Sequence, residues 1–226
     1  IRPRGPDYKK NLYLPDGLSG VHAGVRCVDC HRSIKSIPHA QYLPRAEGCR
    51  SCHEKEVDRF AAGCHAPGRG EDRSLAPDCT ACHGRSHTMV GADDPVSPVN
   101  RRNIPATCLE CHTREENPAT RRDTGAKTVK SYRDSIHGRG LYKLGLVSSA
   151  VCTDCHGAHR ILPEDHPESR VNPRNVPATC GSCHQGLLDD YRRGIHYRTL
   201  ASRNQEAPHC GDCHTSHRIQ STMDRG

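Results

Sequence analysis

Apolar and aromatic residues are scarce in this 226-residue chain. Tryptophan is absent, phenylalanine occurs once and methionine twice, and hydrophobic residues make up 33% of the sequence. An ordinary apolar core is excluded, because too little apolar surface would be buried to offset the loss of chain entropy. No apolar run is long enough to span a membrane. With aromatic residues at 4%, the basic residues also lack the interleaved rings that stack nucleic-acid bases.

Cysteine and histidine are abundant instead, with 15 and 17 residues. Fourteen cysteines form seven Cys-x-x-Cys pairs, and a histidine directly follows every pair. Two thiols one helical turn apart can bond the two vinyl groups of one haem, and the next residue then presents its imidazole to the iron. The sequence therefore predicts seven covalently bound haem c groups. The predicted attachment and proximal residues are Cys27, Cys30 and His31; Cys49, Cys52 and His53; Cys79, Cys82 and His83; Cys108, Cys111 and His112; Cys152, Cys155 and His156; Cys180, Cys183 and His184; and Cys210, Cys213 and His214.

Zinc sites, iron–sulfur clusters and disulfides also use paired cysteines. Zinc chemistry does not require a histidine directly after the second cysteine. A disulfide scaffold suits an exported protein, but it leaves the seven histidines unexplained. The pattern favours haem, because haem attachment uses all three residues of each motif.

An internal repeat organises the motifs. Residues 77–112 match residues 150–184. Near its end, each segment contains a Pro-Ala-Thr-Cys run whose cysteine is the first cysteine of a motif. A full unit consists of a leading histidine, a motif, a trailing histidine and a second motif. We predict an N-terminal docking tail at 1–18, two-haem modules at 19–58, 59–115 and 116–187, a polar insertion at 113–131, and a terminal half module with one haem at 188–226.

Each module supplies two additional histidines for two haems. This is the number needed to place imidazole on both faces of each iron, which gives a low-spin, six-coordinate haem suited to electron transfer. A trailing histidine three residues after its motif histidine points the same way on a helical turn, so we expect it to serve a different haem. His166 and His209 fall outside the pattern and are expected at the surface or beside haem propionates. The eight predicted distal ligands are His22, His39, His65, His87, His137, His159, His196 and His217.

Cys64 is the cysteine outside the pairs, and with His65 it offers an eighth haem a single-thioether attachment. His65 follows His53 by the same 12 residues that separate His196 from His184. This spacing favours His65 as a distal ligand and Cys64 as a small buried apolar residue. The eighth haem stays open as an alternative.

The predicted fold is mostly irregular coil with short α-helices and almost no β-structure, built around haem. Helices are expected at several motifs and over residues 186–193. The proline-rich connectors at 93–105 and 165–177 are expected to be extended or turning.

The formal net charge of +7 changes once haem is included. Seven haems bring fourteen propionate charges, and seven ferric porphyrins return one positive charge each, so the oxidised protein is formally neutral. Three arginine pairs are therefore interpreted as propionate partners or solvated charge and not as a nucleic-acid surface. They are Arg101 and Arg102, Arg121 and Arg122, and Arg192 and Arg193.

Haem is attached to such motifs outside the bacterial cytoplasm. We therefore expect a periplasmic or extracellular protein of a bacterium or archaeon. The sequence shows no signal peptide, so we expect an exported chain from which this peptide has been removed.

The motif density, and the Ser/Gly-x-His leader before a Cys-x-x-Cys-His-x-x-His motif, resemble the multihaem class III cytochromes and their extracellular respiratory relatives. The resemblance extends over the chain after residue 18. It implies an electron carrier that works with other redox proteins or with copies of itself in a haem-lined filament, and it implies no catalytic residue. Seven motifs depart from the four of class III, so the haem arrangement is not carried over. The alternative is a multihaem reductase of the nitrite or hydroxylamine type, which needs one open iron.

Overall fold

The computed structural model describes residues 19–32, 45–67, 76–113, 130–202 and 207–221. The predicted docking tail, most of the predicted insertion and the predicted ligand His39 lie outside these ranges.

Short α-helices joined by turns form the described part of the chain, where no strand occurs. The longest of these helices have nine residues. This confirms the predicted fold class. The α-helices of the described ranges are α1 (Cys27–Cys30), α2 (Arg45–Arg50), α3 (Glu54–Ala61), α4 (Cys79–His83), α5 (Ile104–His112), α6 (Ile136–Tyr142), α7 (Cys152–His156), α8 (Val176–Gly181), α9 (Gln185–Arg193), α10 (Ile195–Ala201) and α11 (Cys210–His214), together with 3₁₀ helices at Gly20–His22 and Ser131–Asp134.

Asparagine and threonine side chains fold the two proline-rich connectors in the same way. The Asn103 amide donates to two carbonyls of its connector at 2.8 and 2.9 Å, and the Asn175 amide does so at 2.8 Å to both. The hydroxyls of Thr107 and Thr179 each donate to a carbonyl nine residues earlier, at 2.7 Å. Both connectors turn, as predicted. The asparagine and threonine residues that the two repeats share thus set the orientation of α5 and α8. These helices contain cysteines of the fourth and sixth motifs.

Few apolar side chains are buried. Val57 and Leu188 occupy corresponding positions, four residues after His53 and His184, and each is the buried residue of its helix. Helices this short are marginal in water without tertiary packing. The buried apolar residues in the described ranges are Val57, Ala66, Tyr132, Leu141, Val151, Leu162, Leu188, Leu200 and Ala207. So few buried apolar residues cannot form the whole packing surface for these helices, so a group other than the side chains must supply the rest.

A left-handed turn follows three of the motif helices. Gly84 and Gly157 end α4 and α7 with φ of 81° each, and Thr215 follows α11 with φ of 63°. These turns direct the chain from the motif histidine to the trailing histidine. A β-branched residue is strained in this region, while glycine is not.

We predict that Thr215→Gly stabilises the protein. Relief of the left-handed backbone outweighs the added flexibility of glycine by about 1 kcal/mol in the free energy of unfolding. Denaturant unfolding of the haem-loaded protein measures the change. Gly157→Ala is the matched control, because it places a Cβ at the same kind of turn, and we expect it to lower stability. Equal or lower stability of Thr215→Gly would contradict the strain argument.

Candidate haem-binding sites

An aspartate inside three motifs holds the first turn of the motif helix. Its carboxylate accepts a hydrogen bond from the backbone N–H of the residue before the first cysteine. The donors are Arg26 at 3.2 Å, Val151 at 2.7 Å and His209 at 2.7 Å, and the acceptors are Asp29, Asp154 and Asp212. Because this capping fixes one helical turn, it sets the two thiols and the histidine of the motif at one side of a short helix.

Six pairs of imidazole rings lie opposite one another. In each pair a motif histidine faces a leading or trailing histidine from elsewhere in the chain. The ring centroids of the pairs are 5.9 to 6.2 Å apart: His31 with His87, His53 with His22, His83 with His159, His112 with His65, His156 with His217, and His184 with His137.

This spacing fits one iron between two rings. A metal–imidazole nitrogen bond is about 2 Å long, and the ring centroid lies roughly 1 Å behind the nitrogen, so two rings on opposite faces of one metal have centroids about 6 Å apart. The interplanar angles range from 5° to 71°, which rotation about the metal–nitrogen bonds allows. Among the described residues, no group of three or more His, Cys, Asp or Glu side chains converges as a metal cluster does.

The pairs follow one rule. A leading histidine faces the second motif of its own module, as His22 faces His53. A trailing histidine faces the first motif of the preceding module, as His87 faces His31. Each type occurs three times. We expected each trailing histidine to face a motif other than its own. None of these three trailing rings faces the histidine of its own motif.

Burial lowers the pKa of six of these imidazoles, which favours their neutral form. Burial lowers the pKa of His156 to about 4, and the neighbouring ring of His217 adds to the effect. Neutral imidazole carries the free electron pair that a metal requires. Burial is likewise the leading cause of a lowered pKa at His65, His83, His112, His137 and His217.

The remaining histidines are placed differently. His196 and His214 are exposed, and neither has a ring partner in the described part of the chain. His166 is half-buried, and its Nδ1 accepts a hydrogen bond from the backbone N–H of Glu168 at 3.1 Å. The Nδ1 of His209 accepts the N–H of Gly211 at 3.0 Å, which makes this residue a helix cap. The structure thus leaves two predicted site histidines without a ring opposite.

Cys64 does not have the buried place predicted for it. Its residue is exposed, and its backbone N–H donates to the carbonyl of Ile161 at 2.8 Å. The residue before a leading histidine lies at the edge of a module, and the side chains of Ile136 and Ile195 at the same position are 38% and 62% exposed. The prediction of an apolar filler was therefore wrong.

Consecutive motifs lie beside one another. Hydrogen bonds join the first cysteines of the second and third motifs and of the sixth and seventh. They lower the pKa of Cys79 and of Cys210 to about 7, and they raise the pKa of their partners, Cys49 and Cys180. Cys108 and Cys152 join the fourth and fifth motifs in the same way. No disulfide bond joins any of the fifteen cysteines in the structure.

The other motif pairs are also neighbours. The Ser51 hydroxyl donates to the carbonyl of Asp29 at 3.4 Å, between the first and second motifs. Burial raises the pKa of Cys82, and the neighbouring thiol of Cys108 raises it further. Burial and the Asp154 carboxylate raise the pKa of Cys155, and the thiol of Cys183 adds to the effect. The seven motifs therefore form an unbroken series in chain order.

Arg101 pairs with a carboxylate of the chain itself. Its guanidinium donates two hydrogen bonds to Asp154, at 2.7 and 3.1 Å, and two to backbone carbonyls in the same region. The helix-capping carboxylate of the fifth motif is its anion, so this arginine ties the second module to the third. Arg192 and Arg193 pair with aspartates three residues earlier and remain exposed, as expected for solvated charge. Arg121 and Arg122 lie outside the described ranges.

No helix in the described ranges combines the length and apolar character needed to cross a membrane.

A comparison with known proteins finds similarity to a c-type cytochrome protein. No protein-family profile and no solved structure matches the chain. Over 145 residues, which are 63% of this chain, the sequence is 30% identical to the cytochrome c-type protein NrfB of Escherichia coli O6:H1. The match spans 62% of the length of that relative. Together with seven haem-attachment motifs, this similarity supports a multihaem c-type cytochrome.

Proposed function

We propose that this protein carries electrons through seven covalently attached, closely packed haems. The observation that carries the proposal is the set of six imidazole pairs, each at the separation that one six-coordinate iron requires. An iron with imidazole on both faces has no position for substrate, so it changes its oxidation state without binding one. Bound haem supplies the redox chemistry, and the chain supplies its attachment, ligands and spacing.

The order of the motifs supports a single electron path. Thiols of consecutive motifs are in contact or close, so haems attached to them would have neighbouring edges. Three of these neighbouring positions are hydrogen-bonded cysteine pairs, between motifs two and three, four and five, and six and seven. An electron entering at one end therefore has a nearby acceptor at every step.

The pairing rule also supports the modular division. Three two-haem modules and a half module, with the boundaries predicted above, account for each ring pair as either internal to a module or shared with the next. We place the protein in the periplasm or outside the cell, because covalent haem attachment takes place there. The resemblance to a cytochrome c-type protein supports the same compartment.

The seventh haem distinguishes a protein that only carries electrons from a reductase with one open iron. His214 is exposed, and no other ring faces it in the described ranges. We propose that its iron is completed at a contact with another redox protein, including a copy of this chain in a filament. The reductase alternative instead leaves this iron open to nitrite or hydroxylamine.

Intact-mass measurement and carbon monoxide binding test the proposal together. We expect the mass of the polypeptide plus seven haems, Cys64 still open to alkylation after denaturation, and six reduced haems that do not bind carbon monoxide. A chain without covalent haem, or one in which most of the reduced irons bind carbon monoxide, would contradict the proposal of an electron carrier. An eighth haem adduct would restore the alternative at Cys64 and His65, and sustained nitrite or hydroxylamine turnover would establish the reductase.

A further inference from the structure

The modules are joined by one backbone hydrogen bond that recurs in the same register. The donor is the N–H of the residue directly before a leading histidine. The acceptor is the carbonyl of the residue two positions after the trailing histidine of the next module. The three bonds run from Val21 to Met89 at 2.9 Å, from Cys64 to Ile161 at 2.8 Å, and from Ile136 to Ile219 at 2.7 Å.

Each of these bonds brings together the two histidines that face the motifs of a single module. At the third junction, the donor Ile136 precedes His137, whose ring faces His184. The acceptor Ile219 follows His217, whose ring faces His156. His156 and His184 belong to the two motifs of the third module. The first and second junctions have the same relation to the first and second modules.

Close packing at the junction explains the small residue two positions before a leading histidine. Gly20 has φ of 71°, and a Cβ on it would lie 1.9 Å from the carbonyl oxygen of Met89. A Cβ on Gly63 would lie 3.1 Å from the carbonyl oxygen of Ile161 and 3.2 Å from that of His159. At the first two junctions, the glycine of the Ser/Gly-x-His leader therefore lets two backbones approach closely.

We propose that this hydrogen bond is the positioning device that sets the distal ligands of both haems of a module at once. Ile136 is a positioning residue, and it acts through its backbone N–H and not through its side chain. The proposal rests on the proposed function, since it concerns haem ligands. It predicts that one broken bond disturbs two irons, one in each motif of the module.

Ile136→Pro removes the donor with little other change. Ile136 is the first residue of α6, where proline is tolerated because this N–H has no partner within the helix. The preceding Ser135 has φ of −69° and ψ of 162°, which is the conformation that a residue before proline prefers. The substitution therefore removes the bond to Ile219 and leaves the helix intact.

Ile195→Pro is the matched control. Ile195 is the first residue of α10, and the preceding Gly194 has φ of −79° and ψ of 166°. Its N–H makes no bond to another module in the described part of the chain. Ile136→Ala is the second control, because it removes most of the side chain and keeps the N–H.

The haem-loaded variants are compared by electron paramagnetic resonance, redox titration and carbon monoxide binding. We expect Ile136→Pro to shift the low-spin signals and midpoint potentials of two haems per chain, and to add up to two carbon monoxide sites. Both controls are expected to match the parent. Unchanged spectra in Ile136→Pro, a change at a single haem, or an equal change in Ile195→Pro would overturn the proposal. If the parent holds no haem, the proposed function fails instead.

Gly63→Ala provides a second test if Ile136→Pro does not fold. The added methyl group pushes on the second junction, so the two haems facing His65 and His159 should shift together. Gly186→Ala is its control, since a Cβ there meets nothing within 4 Å. Parent-like spectra in Gly63→Ala would count against the coupling of the two ligands.

Discussion

Replacing His137 with alanine is expected to open one iron, so that the reduced protein binds one more carbon monoxide per chain than the parent. The His137 ring lies 6.1 Å from that of His184, centroid to centroid, and alanine supplies no ligand in its place. The iron then becomes five-coordinate or takes up water, which changes its spin state and potential. Optical titration with carbon monoxide counts the new site, and electron paramagnetic resonance detects the high-spin ferric form.

His166→Ala is the control for this experiment. His166 is half-buried, and its imidazole accepts a local hydrogen bond from the backbone of Glu168. We expect the parent stoichiometry and the parent spectrum. His137→Ala with seven unchanged haems would remove His137 from the ligand set. His196→Ala examines the predicted ligand for which the described structure provides no partner ring.

The same chain produced without haem attachment is expected to lose its cooperative fold. Nine mostly small or aliphatic residues form the buried apolar set of the described ranges. The helices there do not exceed nine residues, and helices of this length are marginal without packing. Haem provides the apolar surface against which they pack, so its loss leaves chain entropy unopposed.

Circular dichroism during heating measures this effect. The haem-loaded protein should show a helical signal that disappears in a cooperative transition. The haem-free chain should show little helix and no transition. A cooperative transition in the haem-free chain would mean that the side chains alone specify the fold, and that our account of the missing core is wrong.

The fold class could be predicted because it is a local property of the chain, and the attachment pattern is predicted on the same grounds. Three residues in a five-residue motif specify covalent attachment, and the scarcity of apolar residues predicts short helices and coil. The turns of the connectors also follow from nearby prolines. Each of these signals lies within about ten residues of the structure that it predicts.

The partners of individual histidines could not be predicted, because they depend on how modules dock. His87 faces His31 across 56 residues of sequence, and no spacing rule connects them. The repeated aspartate before the second cysteine was a signal that went unused. This aspartate caps the motif helix in three motifs. In the fifth motif it is Asp154, which also accepts a hydrogen bond from Arg101.

The alternation of ring pairs between modules affects how the protein matures. Export and synthesis proceed from the N-terminus, and His159 follows His83 by 76 residues, while His217 follows His156 by 61. If haem is attached to each motif as it emerges, the first haem of a module would have to wait for its facing histidine until the next module follows. The order of the ring pairs would then make the assembly of each module depend on the module after it.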